Sequence, residues 1–341
     1  MASFPHSRPA KAACLLAVLL MTGCSSSSSP TSPTPSTGAP PGQNQTPTAL
    51  GITCPANQSA NATSSTGVAV SFAQPATTGG VAPVQVSCTR TSGSVFPVGT
   101  TSVLCTATDA ATTTRSCTFS VSVAAASPQL TRTTFLAFGD STTSGEITVS
   151  TPSREGGNYR LIVIPAASYP TQLLTMLRTR YTTQANSLVM TNSGFPTEWA
   201  EDGAVRLPGV LSANRPQVVL LLEGVNDVAA LGTRGVQSAW RAIDTMAKEI
   251  RNRGARAFIA TIPPPRPTGA KAVPIALIQS LNSNIRETAR GEGAVLVDVF
   301  QALNGDVTRY IGPDGLHPTE AGYQKIAETF YEAIRADLEQ R

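Results

Sequence analysis

Thr133-Thr-Phe-Leu-Ala-Phe-Gly-Asp-Ser-Thr-Thr-Ser-Gly145 begins as a short apolar run and breaks into a polar turn. The run is too brief for a helix and suits a strand buried on both faces. The turn then delivers Ser141 to the strand's carboxyl end. Four more runs of the same kind follow, at Leu188–Asn192, Gln217–Glu223, Arg256–Thr261 and Ala294–Asp298. Helical periodicity fills the intervals, at Tyr169–Tyr181, Glu198–Ala213, Val236–Arg253, Ile275–Arg290 and Thr319–Leu338. Five strands alternating with helices predict a three-layer α/β/α domain over 133–341, built on a five-stranded parallel sheet. Sites in such sheets lie at the carboxyl ends of the strands, so the residues that follow each strand carry the functional question.

Those residues are polar and specific. Ser141 follows the first strand. Asn192-Ser-Gly194-Phe-Pro-Thr197 follows the second, Glu223-Gly224-Val-Asn226-Asp227 the third, and Pro313-Asp314-Gly-Leu-His317-Pro318 stands before the last helix. The chain has two histidines, His6 and His317. His6 lies in the N-terminal leader, which leaves His317 as the one side chain of the mature protein with an unperturbed pKa near neutrality. A serine needs a base to attack at neutral pH, and the base needs an acceptor on its other ring nitrogen. Ser141, His317 and Asp314 are the residue types for that chemistry. Its dependence on a neutral histidine implies activity that falls on acidification.

Charge excludes other classes. Charged residues make up 13% of the 341 residues, against about 25% in ordinary proteins, and the net charge is +4. From Thr133 onward, 20 basic and 20 acidic residues balance, so that segment has no field for a nucleic acid. Between Cys24 and Thr131 only Arg90, Asp109 and Arg115 are charged.

The N-terminus reads as an address. Arg8 and Lys11 precede an apolar stretch, Ala12–Met21, which is too short to span a bilayer. Met21-Thr-Gly-Cys24 ends it and resembles the lipobox of bacterial lipoproteins, with Met where Leu is usual. The resemblance implies a 1–23 signal peptide, acylation of Cys24 and an extracytoplasmic protein anchored to a membrane, with the outer membrane or cell surface as its destination. Residues 24–49, rich in Ser, Thr, Pro and Gly, have the composition of a solvated tether.

Cys54, Cys88, Cys105 and Cys117 cluster in a Val- and Thr-rich stretch with period-2 runs such as Val84–Cys88 and Thr118–Val123. Alternation with Gly and Pro punctuation predicts a small β-sandwich, which the resemblance described next implies to be immunoglobulin-like, and four cysteines allow three pairings. Thr53-Cys54-Pro55 together with FPVGTTSVLCTATDAATTTRSCTFSVSV, ending at Val123, resembles a HYR (hyalin repeat) module over residues 50–124. By strand order that resemblance implies Cys88–Cys105 and Cys54–Cys117 bridges, and a role as a spacer or in binding cell-surface carbohydrate or protein. Residues 125–132 then form a linker.

The four blocks of the C-terminal segment, in their order, resemble the SGNH (GDSL-type) hydrolases over residues 133–341. Gly139–Gly145 matches the nucleophile block, Asn192-x-Gly194 the second, Gly224-x-Asn226-Asp227 the third and Asp314-x-x-His317 the last. Val205-Arg-Leu-Pro208 ahead of VVLLLEGVND is similar to the thioesterase, lysophospholipase and arylesterase branch. The resemblance implies a flavodoxin-like fold, Ser141 as nucleophile, His317 as base and Asp314 as its orienting acid. It also implies an oxyanion hole from the Ser141 N–H, a second-block N–H (Thr197, with Gly194 as an additional candidate) and the Asn226 amide, and no metal or cofactor. Asp140 and Asp227 are expected to bond loop amides. Thr197 stands where the family usually has Gly; a β-branched residue is strained there if the turn requires positive φ. The long stretch 146–168 after the nucleophile either lines an acyl pocket or forms a β-arm away from substrate. The implied activity is extracytoplasmic hydrolysis of lipid or small acyl esters. The alternatives are a polysaccharide O-acetylesterase and a surface adhesion or scaffold lipoprotein with a weak or inactive hydrolase domain.

Overall fold

A computed structural model describes residues 48–64, 66–150 and 159–340. The Cys24 anchor, the 1–23 leader and nearly all of the 24–49 tether lie outside the described residues.

The parallel sheet is present, and its strands are numbered here within that sheet. They are β1 (Thr134–Gly139), β2 (Val189–Gly194), β3 (Val218–Leu222), β4 (Arg256–Ala260) and β5 (Val295–Val297). Their order across the sheet is β2-β1-β3-β4-β5 and every pairing is parallel. This is the flavodoxin-like order, whose direction of winding reverses between β1 and β3. All five residues of β3 are buried, as an apolar run covered on both faces requires.

Nine helices are described: α1 (Ser141–Ser144), α2 (Tyr169–Arg180), α3 (Ala200–Asn214), α4 (Val225–Leu231), α5 (Thr233–Asn252), α6 (Ile275–Gly291), α7 (Val299–Asn304), α8 (Val307–Tyr310) and α9 (Glu320–Leu338). α2 packs on α9, with Tyr169 and Phe330 stacked at 5.1 Å. α3 packs on α5, and α5 on α6. In α5 the buried residues Val236, Ala239, Ile243, Met246, Ala247 and Ile250 recur at three- and four-residue intervals, which gives the helix one apolar face. The expected elements differ from the observed ones by at most three residues at either end. α4 and the one-turn helices lack a long apolar period and were not visible as separate elements.

The β-rich N-terminal part has a four-stranded sheet. Gln85–Cys88 pairs with Gly99–Thr108, which pairs with Thr114–Ala124, which pairs in parallel with Gln58–Asn61. Alternate residues point inward, and Phe96, Val103, Phe119, Val121 and Val123 form the core with Phe72 set edge-on to Phe119. Disulfides join Cys54 to Cys117 and Cys88 to Cys105.

The segment read as a 125–132 linker is shorter than those boundaries. Gln129–Leu130 pairs antiparallel with Glu339–Gln340. Leu130 is buried in the hydrolase core and exchanges two hydrogen bonds with the Gln184 side chain. An apolar side chain with its backbone groups satisfied in this way belongs to the fold and not to a tether.

Candidate active site

The site is built at the β1/β3 switch point. β1 ends in Gly139, where a Cβ would lie 1.9 Å from the Leu222 carbonyl oxygen of β3. Only glycine lets the chain turn there while touching its neighbour. Asp140 follows as the N-cap of α1, accepting a 2.8 Å hydrogen bond from the Thr142 N–H. Burial is the main reason its pKa is pushed up to about 6, and the Thr142 N–H and the charge of His317 offset part of that rise. Ser141 is the first residue of α1.

The second block is fastened to that turn. Asn192 donates through Nδ2 to the Thr143 carbonyl at 2.9 Å, and Gly194 abuts α1 so closely that a Cβ would lie 2.1 Å from the Ser144 nitrogen. The Gly194 N–H donates to Asn192 Oδ1 at 2.9 Å. It is therefore consumed locally, which removes Gly194 from the oxyanion candidates. Thr197 does adopt positive φ, at +64°, with its side chain exposed in the cleft. A β-branched residue is costly in this region.

The loop is buttressed by a group whose role was not visible in the sequence. Arg206 of α3 donates to both Glu198 carboxylate oxygens and to the Ser193 hydroxyl and carbonyl, and lies 4.0 Å over the Phe138 ring. Asp227 accepts from the Ala200 N–H at 2.9 Å, so it and Asp140 both bond amides in the first turn of a helix and not the loop amides expected. Asn226 donates one amide hydrogen to the Glu198 carbonyl at 2.8 Å, which fixes the group and leaves its second N–H for the cleft. Glu223, at the end of β3, is 1% exposed, and neither carboxyl oxygen has a protein partner among the described residues. Burial first, then the charges of Asp140, Glu198 and Asp227, push its pKa well above the ordinary carboxylate range and so favour its neutral form.

The last block closes the site. His317 Nδ1 lies 2.5 Å from Asp314 Oδ2 and its Nε2 lies 3.0 Å from Ser141 Oγ. Asp314 Oδ1 also accepts from the Leu316 and His317 N–H groups. Burial works against this carboxylate, but the hydrogen bond and charge of His317 with the two amides outweigh it and hold the pKa below its usual value. Asp314 thus stays ionised and fixes the tautomer with hydrogen on Nδ1, leaving Nε2 to accept from the Ser141 hydroxyl. The structure brings Ser141, Thr197, Asn226 and His317 to one cleft of about 390 Å³, with Asp314 behind the imidazole. The N–H groups of Ser141 and Thr197 meet no protein acceptor among the described residues.

Within the 146–168 stretch, Glu146–Ser150 pairs antiparallel with Tyr159–Val163, and Glu146 and Leu161 line the cleft. Glu146 comes within 3.1 Å of His317 Nε2, a contact across 171 residues that sequence spacing does not reveal. Its place just after the nucleophile turn was the available signal.

Residues 137–325 match the GDSL-like lipase/acylhydrolase family, more than half of the chain. The chain belongs to that family. It is an enzyme of the carboxylester hydrolase type, and residues 45–123 match the HYR domain. Esterase TesA of Pseudomonas aeruginosa is 24% identical over 162 residues, 47% of this chain and 76% of that protein. Among solved structures, the lipase/acylhydrolase of Enterococcus faecalis is similar at 20% identity and TM-score 0.49, covering 60% of this chain and 97% of its own. Axe2, an acetylxylan esterase of Geobacillus stearothermophilus, is similar at 17% identity and TM-score 0.45, covering 60% of this chain and 94% of its own.

Proposed function

We propose that this chain hydrolyses small acyl esters outside the cytoplasm by a serine mechanism. The observation that carries the reading is the run of contacts Ser141 Oγ–His317 Nε2 and His317 Nδ1–Asp314 Oδ2, opening on N–H groups that meet no acceptor among the described residues. Ser141 attacks the ester carbonyl as His317 takes its proton. The negative charge on the carbonyl oxygen is met by the Ser141 and Thr197 N–H groups and the second amide hydrogen of Asn226, three donors that need no reorganisation. His317 returns the proton to the leaving alcohol. Water then attacks the acyl-serine, again losing a proton to His317, and frees the acid and Ser141. Asp314 holds the imidazolium at both steps.

The lack of room behind the nucleophile turn supports a small acyl group. The neighbouring apolar cavity, bounded by Leu222, Val225, Ile262 and Ile278, has about 10 Å³ of free space, one water's worth. An acyl chain cannot thread it. Leu161, Val273, Pro274 and Leu316 give the cleft itself an apolar wall, which favours a lipid acyl ester as the second reading. An acetylated polysaccharide fits the same small acyl site. The two disulfides support an oxidising, extracytoplasmic setting. The lipobox-like Met21–Cys24 supports a lipid anchor at Cys24, with the HYR module as a spacer or as a contact to surface carbohydrate or protein.

The test is hydrolysis of p-nitrophenyl esters from acetate to dodecanoate by the full chain and its Ser141→Ala variant. Turnover greatest on acetate to butyrate, and reduced on the order of 10³-fold or more by Ser141→Ala, is expected. A maximum at eight carbons or longer would transfer the assignment to lipid esters. Full activity in Ser141→Ala would refute the mechanism.

A further inference from the structure

The Ser141–His317–Asp314 contacts leave one neighbour of the imidazole unexplained. His317 Nε2 lies 3.0 Å from Ser141 Oγ and 3.1 Å from Glu146 Oε2. A ring nitrogen carries a lone pair or a hydrogen at any moment, never both. With Nδ1–H given to Asp314, the neutral ring offers Nε2 as an acceptor. The Ser141 hydroxyl can donate to it, whereas an ionised carboxylate cannot. Once the serine proton has crossed, Nε2 bears an N–H on a charged ring, and Glu146 is then an acceptor already in place. The contact is favourable to the imidazolium and unfavourable to the neutral imidazole.

Glu146 is held where this matters. Its carbonyl accepts a 2.7 Å hydrogen bond from the Tyr323 hydroxyl, and it opens a strand in register with Val163. Just before it, the Gly145 carbonyl accepts from the Ile164 N–H. Its side chain is 16% exposed and faces the cleft, so water screens the attraction to His317 only in part.

We propose that Glu146 is a positioning residue for ester hydrolysis, holding the His317 imidazolium from the Nε2 side as Asp314 holds it from the Nδ1 side. The inference rests on the serine mechanism above. It carries a trade: the interaction that strengthens the base also retains the proton that silences it. Among the described residues, the titratable groups around this imidazole are Asp314 on Nδ1, Glu146 on Nε2 and Asp140 on the nucleophile turn, with Tyr323 donating to the Glu146 carbonyl and Lys271 lining the same cleft. All except Glu146 are unaltered in a Glu146 variant.

The experiment is kcat/KM for p-nitrophenyl acetate from pH 5 to 9, with the full chain as wild type, Glu146→Gln, Glu146→Asp and Ser141→Ala. For Glu146→Gln the plateau at neutral and alkaline pH is expected to fall about tenfold. The acid limb is expected to move about one pH unit toward acid, the tenfold equivalent. The two profiles then converge at low pH. Glu146→Asp, which keeps the charge, returns the limb toward wild type. A Glu146→Gln profile lowered evenly with an unmoved limb, or not lowered at all, overturns the proposal. Activity surviving in Ser141→Ala is a different failure, that of the serine mechanism itself.

Discussion

Replacing Thr197 by glycine should stabilise the hydrolase domain, an uncommon direction for a substitution beside an active site. Thr197 sits at φ +64° with an exposed side chain whose hydroxyl has no protein partner among the described residues. The left-handed region costs an ordinary L-residue about 1–2 kcal/mol, and more when it is β-branched. Glycine removes that strain and gives back about 0.5–1 kcal/mol through the greater freedom of its unfolded chain. Little burial is lost with an exposed side chain, so the net gain is about 0.5–1 kcal/mol. For a domain of this size that is a rise in Tm of about 1–4 °C. Thr197→Ala is the discriminating control, because alanine keeps the Cβ and most of the strain. Thermal unfolding followed by circular dichroism should therefore rank glycine above both threonine and alanine. Equal gains from Ala and Gly, or a loss above about 1 kcal/mol in Thr197→Gly, would refute the strain argument. The N–H survives in both variants, so hydrolysis of acetate esters should persist in each.

Three further outcomes follow from buried charge and from the disulfides. Asp140 has a folded-state pKa of about 6, above its ordinary 3.8. Its contribution is thus fully present below about pH 4 and is lost as pH rises through about 6, a change of about 3 kcal/mol. Asp140→Asn keeps a capping oxygen and has no charge to bury, so its Tm should exceed wild type at pH 8 and match it at pH 4; an advantage confined to acid pH would contradict this. Cys54–Cys117 closes a separation of 63 residues and Cys88–Cys105 one of 17. In the chain-entropy account they contribute about 4 and about 3 kcal/mol, so Cys54→Ser/Cys117→Ser should lower the denaturation midpoint of the β-module more than Cys88→Ser/Cys105→Ser. Ester hydrolysis under reductant should be retained, since residues 133–341 contain no cysteine.

The parallel strands could be read from the sequence because burial on both faces leaves an unmixed apolar run: Val218–Leu222 has no polar residue to blur its ends. The site residues could be read for a related reason. Ser141, Thr197 and Asn226 stand just past strand ends that the sheet gathers at one edge, and Asp314 and His317 stand in the loop before the last helix. Sequence reasoning failed wherever a role depends on which neighbouring group takes a hydrogen bond or a charge in the folded loop. Gly194 has the right residue type for an oxyanion donor, yet Asn192 two residues earlier takes its N–H. Glu223 looks like a polar strand end, but full burial and three neighbouring carboxylates raise its pKa and favour its neutral form. Arg206 looks like a surface cation on α3, but it joins Glu198, Ser193 and Phe138 into the support of the Thr197 loop. Such roles arise from three-dimensional proximity, which neither periodicity nor spacing encodes.

The pairing of Gln129–Leu130 with Glu339–Gln340 brings the two ends of the hydrolase fold side by side, within about 5 Å, the spacing of neighbouring strands. A polypeptide that enters and leaves at one spot can be spliced into a surface loop of another protein without stretching either partner. The same geometry permits new termini to be cut elsewhere once a short peptide bridges the old ones. The catalytic half is in this sense a cassette, and what is fused ahead of residue 129 can change while the cleft keeps its shape.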